Sequence, residues 1–152
     1  MKHATLKTLR IVDTMGRSPV LDCPSLEELR LYVDRFEVHC AKNFDSWCPR
    51  LKSVRLERVH VMNIRQEEPS SSEFVHATVE ELECCTMVPM IERIACPKLT
   101  KLVLRGDTDS KKVEVAFPVV ECLKLLHLEL HGYSDPFSIL PSILAKLLYS
   151  HF

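Results

Sequence analysis

Three nine-residue stretches of this chain are near copies of one another: CPSLEELRL (Cys23 to Leu31), CPRLKSVRL (Cys48 to Leu56) and CPKLTKLVL (Cys96 to Leu104). Each opens on Cys-Pro and then places apolar residues at offsets of zero, three and five from a leading leucine. A chain that repeats a short unit folds by stacking that unit, so the repeat limits the available architectures more than any other feature.

The template L-x-x-L-x-L extends beyond these copies. It fits Leu6-Leu9-Ile11, Leu26-Leu29-Leu31, Leu51-Val54-Leu56, Val79-Leu82-Cys84 and Leu99-Leu102-Leu104, with successive starts 20, 25, 28 and 20 residues apart. Intervals of this size are those of leucine-rich repeats. A sixth unit has two registers, Val120-Leu123-Leu125 and Leu125-Leu128-Leu130.

The last two template positions are two residues apart and so share one face of a short strand. The residue three earlier turns the chain into that strand and fills the same core. One unit cannot bury its apolar edge alone, whereas stacked units can. The expected fold is therefore α/β, a leucine-rich-repeat solenoid of five or six units. Parallel strands line its concave face, and short helices or irregular segments form its convex face. Proline at the second position ends whatever precedes it and forces its neighbour extended. Cysteine just before it is small and apolar enough for the interior, so Cys23, Cys48 and Cys96 read as core residues at the corner.

The connecting stretches supply the outer layer. Phe36 to Trp47 and Val88 to Ala95 each read as a short helix with apolar residues turned inward. Residues 63–73 are polar and rich in turn formers, which predicts an exposed loop. Residues 137–150 form an amphipathic helix introduced by Asp135-Pro136. All of this fits one domain over residues 1–152, expected to be part of a longer protein.

Composition narrows function. Charged residues make up 27% and the formal net charge is −1, so no global field draws the chain to nucleic acid or an anionic membrane. No apolar run reaches the ~20 residues that span a bilayer, and MKHATLKTLR lacks the apolar core of a secretory signal. Seven cysteines are an odd number, and no Asn-x-Ser/Thr acceptor occurs. These observations predict reduced thiols and a cytoplasmic or nuclear setting.

CP-x-L-x-x-L-x-L repeats of irregular length resemble the leucine-rich repeats of F-box proteins. The C-terminal LLHLELHGYSDPFSILPSILAKLLYS resembles the strand, polar loop and L-P-x-x-L helix of plant FBD-type members, which favours Leu125-Leu128-Leu130 as the sixth strand. The resemblance implies a protein-interaction module, the substrate receptor of a ubiquitin ligase. A ligase adaptor would be engaged only through an F-box outside this chain, since no F-box bundle precedes Leu6. The repeats of intracellular immune-type receptors share much of the pattern, so a ligand-sensing or scaffold role is the alternative.

Outward residues on the strands would form three columns. The first is Thr8, Glu28, Ser53, Glu81 and Lys101; the second is Arg10, Arg30, Arg55, Glu83 and Val103; the third is Val12, Tyr32, Glu57, Cys85 and Arg105. The candidate partner-binding residues are Arg10, Glu28, Arg30, Tyr32, Arg55, Glu57, Glu81, Glu83, Lys101 and Arg105. Arg10, Arg30 and Arg55 would stand in a ladder across neighbouring strands, which disfavours itself by a few tenths of a kcal/mol (~0.2 or more) per like pair. Two readings follow. Glu28 and Glu57 on the diagonals neutralise the ladder, or the ladder is a cationic track for an acidic or phosphorylated peptide, with Tyr32 as an apolar anchor.

Other chemistry is thinly signalled. The sequence contains no C-x-x-C, H-x-x-x-H on a helix or H-E-x-x-H, so no metal or other cofactor is expected. His127 and His131 straddle a strand-like LHLELH and would share its exposed face. No local signature pairs a cysteine with a histidine base, which leaves a thiol-dependent enzyme as a remote alternative. Ser70, Ser71 and Ser72 in the polar loop are sterically open to phosphorylation.

Overall fold

The computed structural model describes residues 2–13, 21–33, 35–36, 44–57, 60–61, 73–85, 93–105, 118–122 and 124–131. Residues 63–72 of the expected loop over 63–73, with Ser70 to Ser72 among them, and the helix over 137–150 lie outside these residues.

The chain is α/β, with its strands paired in parallel. Its strands are β1 (Thr8–Asp13), β2 (Glu28–Val33), β3 (Arg35–Phe36), β4 (Ser53–Glu57), β5 (His60–Val61) and β6 (Glu73–Val75). They continue as β7 (Glu81–Cys85), β8 (Arg93–Ala95), β9 (Lys101–Arg105), β10 (Val119–Glu121) and β11 (His127–His131). Six of them make one sheet in the order β1-β2-β4-β7-β9-β11. A second sheet runs β10-β8-β6, and β3 pairs with β5. Parallel neighbours need a crossover between them, and here β6, β8 and β10 sit within those crossovers.

The template explains the large sheet. Its second and third apolar positions pair directly from strand to strand: Leu9, Leu29, Val54, Leu82, Leu102 and Leu128 form one row, and Ile11, Leu31, Leu56, Cys84, Leu104 and Leu130 the next. The four inner strands bury both positions almost completely. The sixth strand therefore uses Leu125-Leu128-Leu130, and Val120 lies in the second sheet. From that sheet, Phe74, Ile94 and Val120 enter the same buried cluster.

One hydrogen-bond arrangement recurs at every step of the stack. The carbonyl of the residue just before a strand accepts two N–H groups from the following unit. Lys7 accepts from Glu27 and Glu28, and Glu27 from Lys52 and Ser53. Lys52 accepts from Glu80 and Glu81, Glu80 from Thr100 and Lys101, and Thr100 from Leu126 and His127, all at 2.8–3.1 Å. Unit follows unit in register despite connections of unequal length.

The Cys-Pro pairs form tight turns. The N–H of Leu26, Leu51 and Leu99 donates to the carbonyl of Cys23, Cys48 and Cys96, each at 3.0 Å. Proline at the second turn position presets φ for such a turn. All three cysteines are fully buried. Among the units without Cys-Pro, the one leading into β7 has His76-Ala77-Thr78-Val79 in its place, and side chains supply its bonds. Ala77 N–H donates to Asp45 Oδ1 at 3.0 Å, and Thr78 Oγ1 donates to the Leu51 carbonyl at 2.8 Å. His76 is buried there.

Three expectations are corrected. Val88 to Ala95 does not read out as a helix where it is described, since Arg93–Ala95 is a strand. Of the described residues in Phe36 to Trp47, Phe36 closes a strand and Phe44–Trp47 is helical. Glu73 begins β6 rather than ending a loop. Short parallel strands satisfy backbone groups between units, which isolated single-turn helices cannot do for one another. Among the described residues no helix is long and apolar enough to cross a membrane.

Candidate functional site

The face of the large sheet opposite the leucine rows is polar. Strand alternation places three rows there. Thr8, Glu28, Ser53, Glu81, Lys101 and His127 make the first; Arg10, Arg30, Arg55, Glu83, Val103 and Glu129 the second; Val12, Tyr32, Glu57, Cys85, Arg105 and His131 the third. Every one of the ten expected binding residues falls in these rows, and β11 adds His127, Glu129 and His131.

Arg10, Arg30 and Arg55 do stand opposite one another, and carboxylates compensate two of them. Arg30 Nη2 lies 2.6 Å from Glu28 Oε1, two residues away along the same strand. Arg55 pairs with Glu57 in the same way and also reaches Glu83 across the strands at 3.3 Å. Glu83 bridges onward to Arg105 at 3.2 Å. Glu83 and Glu57 thus hold a chain of alternating charge over three strands. Among the described residues no ion pair includes Arg10, Glu81 or Lys101. Exposed pairs of this kind contribute little stability, about 0–1 kcal/mol each, but they fix the direction in which each guanidinium points.

A depression of about 240 Å³ opens on this face, its lining including Arg30, Ser53, Arg55, Glu81 and Lys101. Val103 keeps its place in the second row and belongs to the lining, but at 3% exposure it is buried, which corrects the expectation that the whole column is exposed. Its short side chain lies between the longer Glu83 and Glu129 in the row, so its neighbours cover it.

At the far end of the face, His127 Nε2 lies 2.6 Å from Glu129 Oε1 and His131 Nε2 3.0 Å from Glu129 Oε2. Hydrogen bonds from His131 and then His127 hold the Glu129 carboxyl down at about 2, from an ordinary 4.5. The two imidazoles are four residues apart on a strand, about 13 Å between Cα atoms, so they flank the carboxylate from opposite sides. Such a geometry is suited to hydrogen bonding rather than chelation. Among the described residues no group of three or more His, Cys, Asp or Glu side chains is arranged to hold a metal ion.

The thiols are set for packing. Desolvation by burial pushes Cys48 up to about 11 and Cys84 and Cys96 up to about 12. Cys85 is half-buried on the polar face and is raised to about 11, by desolvation first and then by the Glu83 charge beside it. These groups are thiols, not thiolates, at neutral pH.

One feature escaped sequence reasoning. Just before the first four strands of the large sheet, Lys7, Glu27, Lys52 and Glu80 alternate in sign along the stack, and Glu27 reaches Lys52 at 3.3 Å and Lys7 at 3.7 Å. The signal was present at the template position two before the second leucine. No family model, curated protein or solved structure matches the chain.

Proposed function

We propose that residues 1–152 form one leucine-rich-repeat solenoid whose polar strand face is its concave wall, and that this wall docks a protein or peptide target. The observation that carries the reading is the contrast between the two faces of the six-stranded sheet. One is apolar and sealed against the second sheet. The other presents three straight rows of charged and hydroxyl groups around an open depression. Charged side chains already oriented by their neighbours lose less freedom when a partner arrives.

The F-box resemblance makes the target a ubiquitin-ligase substrate. Its acidic or phosphorylated side chains would meet Arg10 and Lys101, the two cations of the face that stand outside the described ion pairs. Tyr32 lies within reach as an apolar anchor. Nucleic acid is disfavoured, because Glu81, Glu83 and Glu129 interrupt any cationic path.

Affinity purification with the intact chain as bait tests this. Proteins retained by the parent should be lost together from Arg30→Glu and Lys101→Glu variants whose melting curves are unchanged. Retention of the same set by both variants would remove the polar face as the docking wall.

A further inference from the structure

Among the described residues the large sheet is bounded by β1 and β11, and their exposed groups complement each other. Leu9 and Ile11 on β1 and Leu128 and Leu130 on β11 are only partly buried, whereas the same template positions on β2 are 0–1% exposed. Each inner unit offers two adjacent N–H groups to the preceding carbonyl and offers its own carbonyl to the next unit. At β1 the corresponding donors are Lys7 and Thr8; at β11 the corresponding acceptor is Leu126, which is 87% exposed. The middle row ends on Arg10 at one edge and on Glu129 at the other.

We propose that copies of this chain associate head to tail, with β11 of one copy lying parallel and in register beside β1 of the next. In that register Leu128 meets Leu9, Leu130 meets Ile11 and Glu129 stands opposite Arg10, as Glu83 stands opposite Arg55 within the sheet. The carbonyl of Leu126 accepts from Lys7 and Thr8, repeating the step found at every internal junction. Charge selects this pairing over the symmetric ones. Centred on the middle row, β1 against β1 sets Arg10 against Arg10, and β11 against β11 sets Glu129 against Glu129, each unfavourable across strands. A heterologous contact of this kind leaves one edge of each copy free for the next, so assembly is not limited to two copies and gives a ring or an open array.

Sedimentation velocity of the full chain over a concentration series is the test. The expected weight-average mass rises with concentration and does not level off at two copies. Arg10→Glu and Glu129→Arg should each shift that rise to about tenfold higher concentration. An equimolar mixture of the two single variants should recover it, because every junction of an alternating array again sets one guanidinium opposite one carboxylate. A chain that stays monomeric throughout overturns the proposal, as does assembly that ignores both variants or is not recovered on mixing. The melting curve of each variant shows that the folded state is being compared.

Discussion

A buried template leucine has neighbours on both sides in its own row and the second sheet behind it. Leu29 and Leu102 are 0% and 1% exposed, and burying such a side chain contributes about 1.5–3 kcal/mol. Aspartate at either position removes that contribution and places a carboxylate where no partner exists, a further cost of several kcal/mol (~3 or more). The expected outcome is loss of the cooperative melting transition by circular dichroism. A variant that melts like the parent would mean that the register is wrong. The corner and strand cysteines make a separate point. Because burial raises Cys48, Cys84 and Cys96 to about 11 or 12, iodoacetamide at pH 8 should leave all three unmodified in the folded chain and modify them in urea. Peptide mass mapping reads this directly, and rapid labelling of Cys96 without denaturant would contradict its place in the core.

At the scale of the elements, the Cys-Pro turns and the strands behave as modules. Replacing Pro24 or Pro97 by alanine keeps the turn bond but frees the unfolded chain. Each should lower stability by about 0.4–1 kcal/mol, with nearly additive effects because the turns lie in different units. Urea titration should show a lower midpoint at unchanged slope; no shift in either variant would mean that the preset φ is not what the turn uses. The strands and their register were legible in the sequence because leucines two apart have one reading when a whole series of them recurs. The connectors were not. Three residues such as Arg93-Ile94-Ala95 bury their middle member equally well on a helix or a strand, so only the partner strands β6 and β10 decide. The site was legible as a set of rows but not as a set of bonds. Whether Arg55 turns to Glu57, to Glu83 or to solvent depends on which carboxylate the neighbouring strand brings opposite it. The β11 triad shows what such a bond changes. A carboxylate whose folded pKa is depressed adds stability that is present above its ordinary value of 4.5 and is lost as pH falls toward about 2. A carbon-detected titration should place the Glu129 midpoint near 2, and alanine at both His127 and His131 should return it toward 4.5. A normal midpoint in the parent chain would show that the histidines do not hold it.

For the molecule as a whole, parallel stacking makes stability depend on position in the stack. β4 and β7 are paired on both sides, whereas β1 and β11 are each paired on one, and nearest-neighbour terms dominate in assemblies of repeated units. Opening should therefore begin at the outer strands and reach the middle last. Hydrogen exchange at low concentration should be slowest over residues 53–57 and 81–85 and fastest over 8–13 and 127–131. Equal protection across all six strands would mean that the sheet opens only as a unit. Concentration adds a second axis to the same measurement. If β11 of one copy covers β1 of the next, both outer strands become inner ones, and their exchange should slow as the chain is concentrated while the middle strands hardly change. In Arg10→Glu the outer strands should stay fast at the same concentration. Slowing in that variant equal to the parent's would assign the protection to something other than the Arg10–Glu129 junction, even where the gradient along the stack is as expected.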